Sequence, residues 1–127
     1  MDKLEKYTLE YTFKSSPKVL YNRISTVGGL SEWFADDVSI NGDKYTFTWD
    51  GSEQDAKLIS SKDQVYARFK WLDDDDEKTY FEFKISIDDI TGDVALIITD
   101  FAYDDEREDA INLWEAQVDD LHQIIGA

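Results

Sequence analysis

The chain has 127 residues, with 13 Lys plus Arg against 29 Asp plus Glu and a formal net charge of −16. Hydrophobic residues at 42% and aromatics at 14% are too many for a disordered acidic tail, and a surface this acidic, with no basic cluster, repels phosphate backbones and anionic head groups, which excludes nucleic acid as a partner. With no cysteine there are no disulfides, no thiolate nucleophile and no sulfur-ligated zinc, and no apolar run approaches the roughly 20 residues of a membrane span.

This length suits one hydrophobic core, so a single domain over residues 1–127 is expected. The opening stretch from Met1 to Tyr7 lacks the apolar segment of a signal peptide, and a cytoplasmic location is expected. Lys6 to Phe13 alternates strictly, with Tyr7, Leu9, Tyr11 and Phe13 on one side, which is the period of a half-buried strand. Ser16-Pro17 then reads as an N-cap followed by proline at the first helical position. The helix it starts carries an apolar stripe of Leu20, Ile24 and Val27, helped by Val19, and Gly28-Gly29 is expected to end it. Leu30 to Phe34 reads as a second short helical segment.

From Val38 to Phe101 the texture changes to short β-rich runs. Turn chemistry falls at Asn41-Gly42, Asp50-Gly51, Ser60 to Asp63, Asp73 to Glu77 and Asp88 to Gly92, which separates six strands. Connections this short require antiparallel neighbours, because a parallel crossover needs a dozen or more residues. The apolar faces include Tyr45, Phe47 and Trp49; Val65, Ala67, Phe69 and Trp71; and Phe81, Phe83, Ile85 and Ile87. Val94 to Phe101 is more continuously apolar, as suits a strand covered on both sides or packed beside a closing helix. Asp104 to Ile125 is free of glycine and proline, places acids in its first turn, and repeats apolar residues at Ala110, Leu113, Trp114, Val118, Leu121 and Ile125. It reads as one helix of about 22 residues, roughly 33 Å long.

The order is strand, two short helices, six antiparallel strands and a long C-terminal helix, an α+β class with the first strand free to pair with the last. Together with Ser16-Pro17-Lys18-Val19-Leu20-Tyr21, Gly29-Leu30-Ser31-Glu32-Trp33-Phe34-Ala35 and the Leu113-Trp114 to Leu121 spacing, it resembles the helix-grip fold of the START-like (SRPBCC) superfamily. Within that superfamily it is most similar to stand-alone bacterial relatives of the activator of Hsp90 ATPase domain. The resemblance implies a curved seven-stranded antiparallel sheet gripping the last helix. It also implies a cleft between the two that holds a sterol, lipid, polyketide or other apolar molecule.

The residues expected to line such a cleft are Trp33, Phe34, Phe47, Trp49, Phe69, Trp71, Phe81, Phe83, Trp114 and Val118. The chain supplies 18 aromatic residues, enough either to line a cavity or to fill it. Trp33 and Phe34 read as a gate at the cleft mouth or as anchors of their segment, and Trp114 as a ligand contact or as core. Arg68, opposite in face to Phe69, is expected in solvent. His122, the one histidine, could act as a general base, but no partner can be placed beside it from sequence, and it reads as a residue flanking the apolar stripe. Asp73 to Glu77 is dense in oxygen ligands but lacks the alternation and central glycine of an EF-hand, so it reads as a solvated loop and no metal site is assigned. No glycine-rich phosphate loop is present and no cofactor is expected. With 29 carboxylates, no catalytic pair stands out.

The reading that follows is a non-enzymatic binding protein for a small apolar or amphipathic ligand. The acidic field and the cost of burying an unpaired charge favour a neutral or cationic ligand. An alternative is a co-chaperone-like interaction module whose acidic surface meets a basic patch on a protein partner. A cyclase or dehydratase, as the resemblance also allows, would need a perturbed carboxylate or tyrosine facing His122.

Overall fold

Strict alternation at the N-terminus does produce an edge strand, and the computed structural model, which describes residues 4–74, 76 and 78–125, shows how the remaining elements assemble on it. Among these residues the chain forms β1 (Leu4–Phe13), α1 (Pro17–Ser25), α2 (Val27–Trp33), β2 (Asp37–Asn41), β3 (Lys44–Trp49), β4 (Ser52–Lys62), β5 (Tyr66–Trp71), β6 (Phe81–Ile87), β7 (Val94–Tyr103) and α3 (Arg107–Ile125). The strands make one antiparallel sheet in the order β1-β7-β6-β5-β4-β3-β2, so the first strand pairs with the last, from Leu4 opposite Tyr103 to Phe13 opposite Val94. This is the helix-grip arrangement that the order of elements predicts.

Local chemistry accounts for most boundaries. Asp50 and Gly51 both have positive φ, +50° and +83°, the pair of left-handed residues that a two-residue hairpin needs to follow the right-handed strand twist. The third turn is shorter than predicted: β4 continues through Lys62, and Ser60 and Ser61 pair with Arg68 and Ala67. A register shift between Leu58 and Ser60 leaves Ile59 as an extra residue, a bulge that bends β4 and adds curvature. The last helix starts at Arg107 rather than Asp104, and the Arg107 guanidinium pairs with Glu5 at 2.6 Å, tying that start to β1.

The helical segment departs most from expectation. Gly28-Gly29 does not end α1. Thr26, in extended backbone, ends it and begins α2: its N–H donates to the Asn22 carbonyl, and its hydroxyl oxygen accepts from the Gly29 N–H at 2.9 Å. Both glycines therefore lie inside α2. Only Leu20 and Ile24 of the expected stripe are buried, while Val19 and Val27 are 40% and 39% exposed. In α3 the buried row is Trp114, Val118 and Leu121, and Leu113 points outward at 63% exposure. One residue is 100° of helical turn, so Leu113 and Trp114 cannot both face the sheet squarely.

α1 packs on β5 and β6, α2 on β2 and α3, and α3 on β1 and β7. The core lies between these helices and the concave face, with Phe13, Phe47, Phe69, Phe83, Leu96 and Ile98 fully enclosed. On the convex face Arg68 is not free in solvent as expected. Its guanidinium lies 4.2 Å from the Tyr80 ring centre and pairs at 2.7 Å with the buried Glu82. No helix among the described residues is long and apolar enough to cross a membrane.

Candidate functional site: an aromatic hollow with an inward carboxylate

The inner face is a continuous aromatic stack. Phe34, at the end of α2, is 3% exposed and sits at its centre, edge-on to Phe47, Trp49 and Phe83 and stacked on Phe81 and on Trp114 at a 5.6 Å ring separation. Its backbone carbonyl accepts from both Trp49 Nε1 at 2.7 Å and Gln117 Nε2 at 2.8 Å, so one oxygen ties α2, β3 and α3 together. Trp33 is an anchor: its indole N–H donates to the Arg23 carbonyl of α1 at 2.7 Å and its ring meets Phe83 edge-on. Phe47, Phe69, Phe81, Phe83 and Val118 are enclosed in the core. Most of the space under α3 is therefore filled by side chains.

A hollow of about 440 Å³ remains at one end of the sheet, partly open to solvent, beneath the N-terminal half of α3. Phe34, Trp49, Trp71 and Trp114 form its aromatic walls, with Gln54 and Gln117 among its polar groups. Trp49 and Trp71 end β3 and β5, and Gln54 is carried near the start of β4, opposite Phe47, so these side chains converge on one end of the sheet. A groove of about 520 Å³ adjoins it, sharing Phe34, Trp49 and Gln117, and is edged by Glu32, Asp36 and Asp120. Of the residues predicted to line a cleft, Phe34, Trp49, Trp71 and Trp114 meet at the hollow, Trp33 borders the groove, and the other five do not reach either.

Asp100 is a wall residue outside the set expected from sequence. Along β7 the inward positions run Val94, Leu96, Ile98, Asp100, Ala102, so alternation places a carboxylate on the apolar face and at the wall of the hollow. One oxygen accepts from Trp114 Nε1 at 3.1 Å and from the Tyr7 hydroxyl at 3.4 Å; the other accepts from the Phe101 N–H at 2.8 Å. None of the ion pairs among the described residues involves it. Burial pushes the Asp100 carboxyl above its usual value, and the three donors only partly offset that. The same burial, reinforced by the Asp100 charge, raises the Tyr7 phenol. The parity of β7 carries the signal for Asp100, which is the next inward position after Ile98.

The Asp100 shift has a sign that can be tested. The folded chain holds this proton more tightly than the unfolded chain, so stability falls as pH rises from the usual carboxylate value of 3.8 through the raised one, and the cost stands in full above it. Asp100→Asn keeps the shape and an acceptor for Trp114. It is expected to be more stable than wild type at pH 7.5, with the difference shrinking towards pH 3.5. Urea midpoints at the two pH values check this, and a difference independent of pH contradicts it.

His122 plays no part in the hollow. Its ring stacks on Phe13 at 4.0 Å, and one ring nitrogen lies 2.9 Å from the Thr12 carbonyl. Thr12 pairs with Ala95 and Tyr7 with Asp100, five register steps or about 17 Å along the sheet. In the acidic run, Asp75 and Glu77 lie outside the described residues. Asp74 is occupied by Lys70, the Thr79 hydroxyl and the Asp76 N–H, and the hydrogen bond from Thr79 holds its carboxyl below the usual range.

This fold, an antiparallel sheet with a C-terminal helix packed on it, recurs in known structures. A Bacteroides fragilis protein solved by NMR is 40% identical, with 96% of this chain and 91% of that one covered at a TM-score of 0.69. The Aha1 dimer from Colwellia psychrerythraea is 19% identical over 76% of this chain and 75% of its own, at 0.64. A Mesorhizobium loti protein is 15% identical over 96% and 97%, at 0.77. A comparison with curated proteins returns no significant match. The sequence profile of the START-like superfamily domain matches residues 1–127, and the chain belongs to the START-like superfamily.

Proposed function

We propose that the protein is a non-enzymatic binding protein that takes a small apolar or amphipathic molecule in the hollow between α3 and the sheet. The carrying observation is the hollow itself: about 440 Å³ left open and walled by Phe34, Trp49, Trp71 and Trp114 in an interior that is otherwise solidly packed. Superfamily members commonly bind hydrophobic ligands, which supports the same reading. Burying about 200 Å² of apolar surface at about 25 cal/mol per Å² yields roughly 5 kcal/mol before the cost of immobilising the ligand, so affinities of about a millimolar or weaker are expected for simple neutral probes. The distance between His122 and Asp100 argues against proton-transfer chemistry by that pair.

Titration with 2-naphthylmethanol, read by the fluorescence of the hollow's tryptophans, is expected to saturate. Ala110→Trp, which places an indole at the hollow from a partly buried position one turn before Trp114, is expected to weaken binding at least tenfold without loss of folding. No saturable binding to the wild type, or unchanged binding to the variant, overturns the proposal.

A second reading is supported by the net charge of −16 and by Leu113 exposed beside Glu32 and Asp120: an interaction surface for a basic protein partner, as in a co-chaperone of the Hsp90-activator kind. Such a complex weakens with added salt, whereas apolar binding in the hollow does not.

A further inference from the structure

We infer that the hollow selects a ligand carrying an amine or other cationic group on an apolar ring system, the cation docking against the Asp100 carboxylate. This rests on the reading that the hollow takes a small molecule, and it adds the ligand's chemical class. Four observations converge on it.

The first is position. Asp100 occupies an inward site of β7 between Ile98 and Ala102, where strand alternation calls for an apolar residue, and it lines the hollow directly. A carboxylate there costs stability that leucine or asparagine would not, which is the pattern expected where function overrides packing.

The second is incomplete satisfaction. A carboxylate has about four acceptor sites; Trp114, Tyr7 and the Phe101 N–H use three, all are neutral donors, and no ion pair among the described residues neutralises the charge. Burial holds the carboxyl above its usual value, so a cation set against it would offset a cost that the neutral donors offset only in part.

The third is the wall. Trp49 and Trp71, both only partly buried, border the hollow, and the negative face of an indole attracts a cation as well as an apolar body. The fourth is the approach. The adjoining groove carries Glu32, Asp36 and Asp120 on its edge and shares Phe34, Trp49 and Gln117 with the hollow, so a cation passes along an acidic path to reach Asp100.

The test uses three probes on one skeleton, 2-naphthylmethylamine, 2-naphthylmethanol and 2-naphthoate, titrated at pH 7.5 in 0.15 M and 0.5 M salt against the wild type, Asp100→Asn and the edge variant Glu32→Gln/Asp120→Asn. The wild type is expected to bind the ammonium at least tenfold more tightly than the alcohol and the carboxylate most weakly. In Asp100→Asn the ammonium should fall to the level of the alcohol measured on the same variant. The edge variant, which lowers the diffuse field but spares Asp100, should keep most of the preference, at both salt concentrations.

An alcohol bound as tightly as the ammonium by the wild type overturns the charge selection while leaving a container intact. A preference that survives in Asp100→Asn, or that vanishes in the edge variant or in 0.5 M salt, assigns it to the general acidic field and also overturns the inference. Failure of all three probes to bind defeats the container reading itself.

Discussion

Phe34→Ala is expected to lower the unfolding free energy by about 3–5 kcal/mol, the range for removing a fully packed phenylalanine, against a typical domain stability of roughly 5–15 kcal/mol. The upper part of that range applies because the ring is 3% exposed and touches aromatic partners on every side, while the backbone around it cannot collapse into the space. The Phe34 carbonyl keeps its bonds from Trp49 and Gln117 in the variant, so α2, β3 and α3 stay tied where they are and the lost volume remains as cavity. That cavity adjoins the existing hollow, which enlarges. Two measurements follow: urea unfolding, for the stability, and titration with 2-naphthylmethanol, whose affinity is expected to rise several-fold in the folded variant. A loss below about 1 kcal/mol would show that Phe34 is not a packed plug, and unchanged probe affinity would show that the vacated space does not join the hollow.

The same residue shows what the sequence makes legible and what it does not. Alternation in β1, β3, β5 and β6 identifies nearly every inward side chain, because a strand has only two faces and one is wet. The order of elements then places those faces on one bent sheet. What alternation cannot supply is which inward aromatics fill space and which border it. That depends on where α2 stops, and its stop is set by contacts distant in sequence: the Phe34 carbonyl between Trp49 and Gln117, and Trp33 on the Arg23 carbonyl. Phe47 and Trp49 look alike in sequence, yet the first is enclosed and the second ends its strand at the hollow. Leu113 and Trp114 are both apolar and adjacent, and only the actual helix phase separates the exposed one from the buried one. Asp100 was legible in principle, by parity alone. Its apolar neighbours hide it, because Val94 to Phe101 has the texture of a continuous apolar run unless each position is assigned to a face.

The Gly28-Gly29 pair departs from its expected role for a different reason, and substituting each glycine separately exposes it. Read locally, two glycines after a helix are a stop signal. In the fold they sit inside α2, and they differ completely. A Cβ on Gly29 would lie 2.1 Å from the Asn22 carbonyl oxygen and 2.6 Å from the Arg23 Cα, backbone atoms of α1 that no rotamer change can move aside. Gly29→Ala therefore has to pry α1 from α2, at an expected cost of about 3 kcal/mol or more, the severe end of overpacking. Gly28 meets nothing within 4 Å at its Cβ position and has no left-handed backbone, so Gly28→Ala removes flexibility from the unfolded chain and adds helix propensity, an expected gain of about 0.5–1 kcal/mol. Neighbouring glycines should thus give opposite signs in urea unfolding. Equal effects would mean that both act through helix propensity and that the helices do not cross at Gly29. The displacement in Gly29→Ala also has a route to the site, because α2 carries the Trp33 anchor and ends at Phe34. Weaker 2-naphthylmethanol binding in the folded fraction of Gly29→Ala, with normal binding in Gly28→Ala, is the expected companion result.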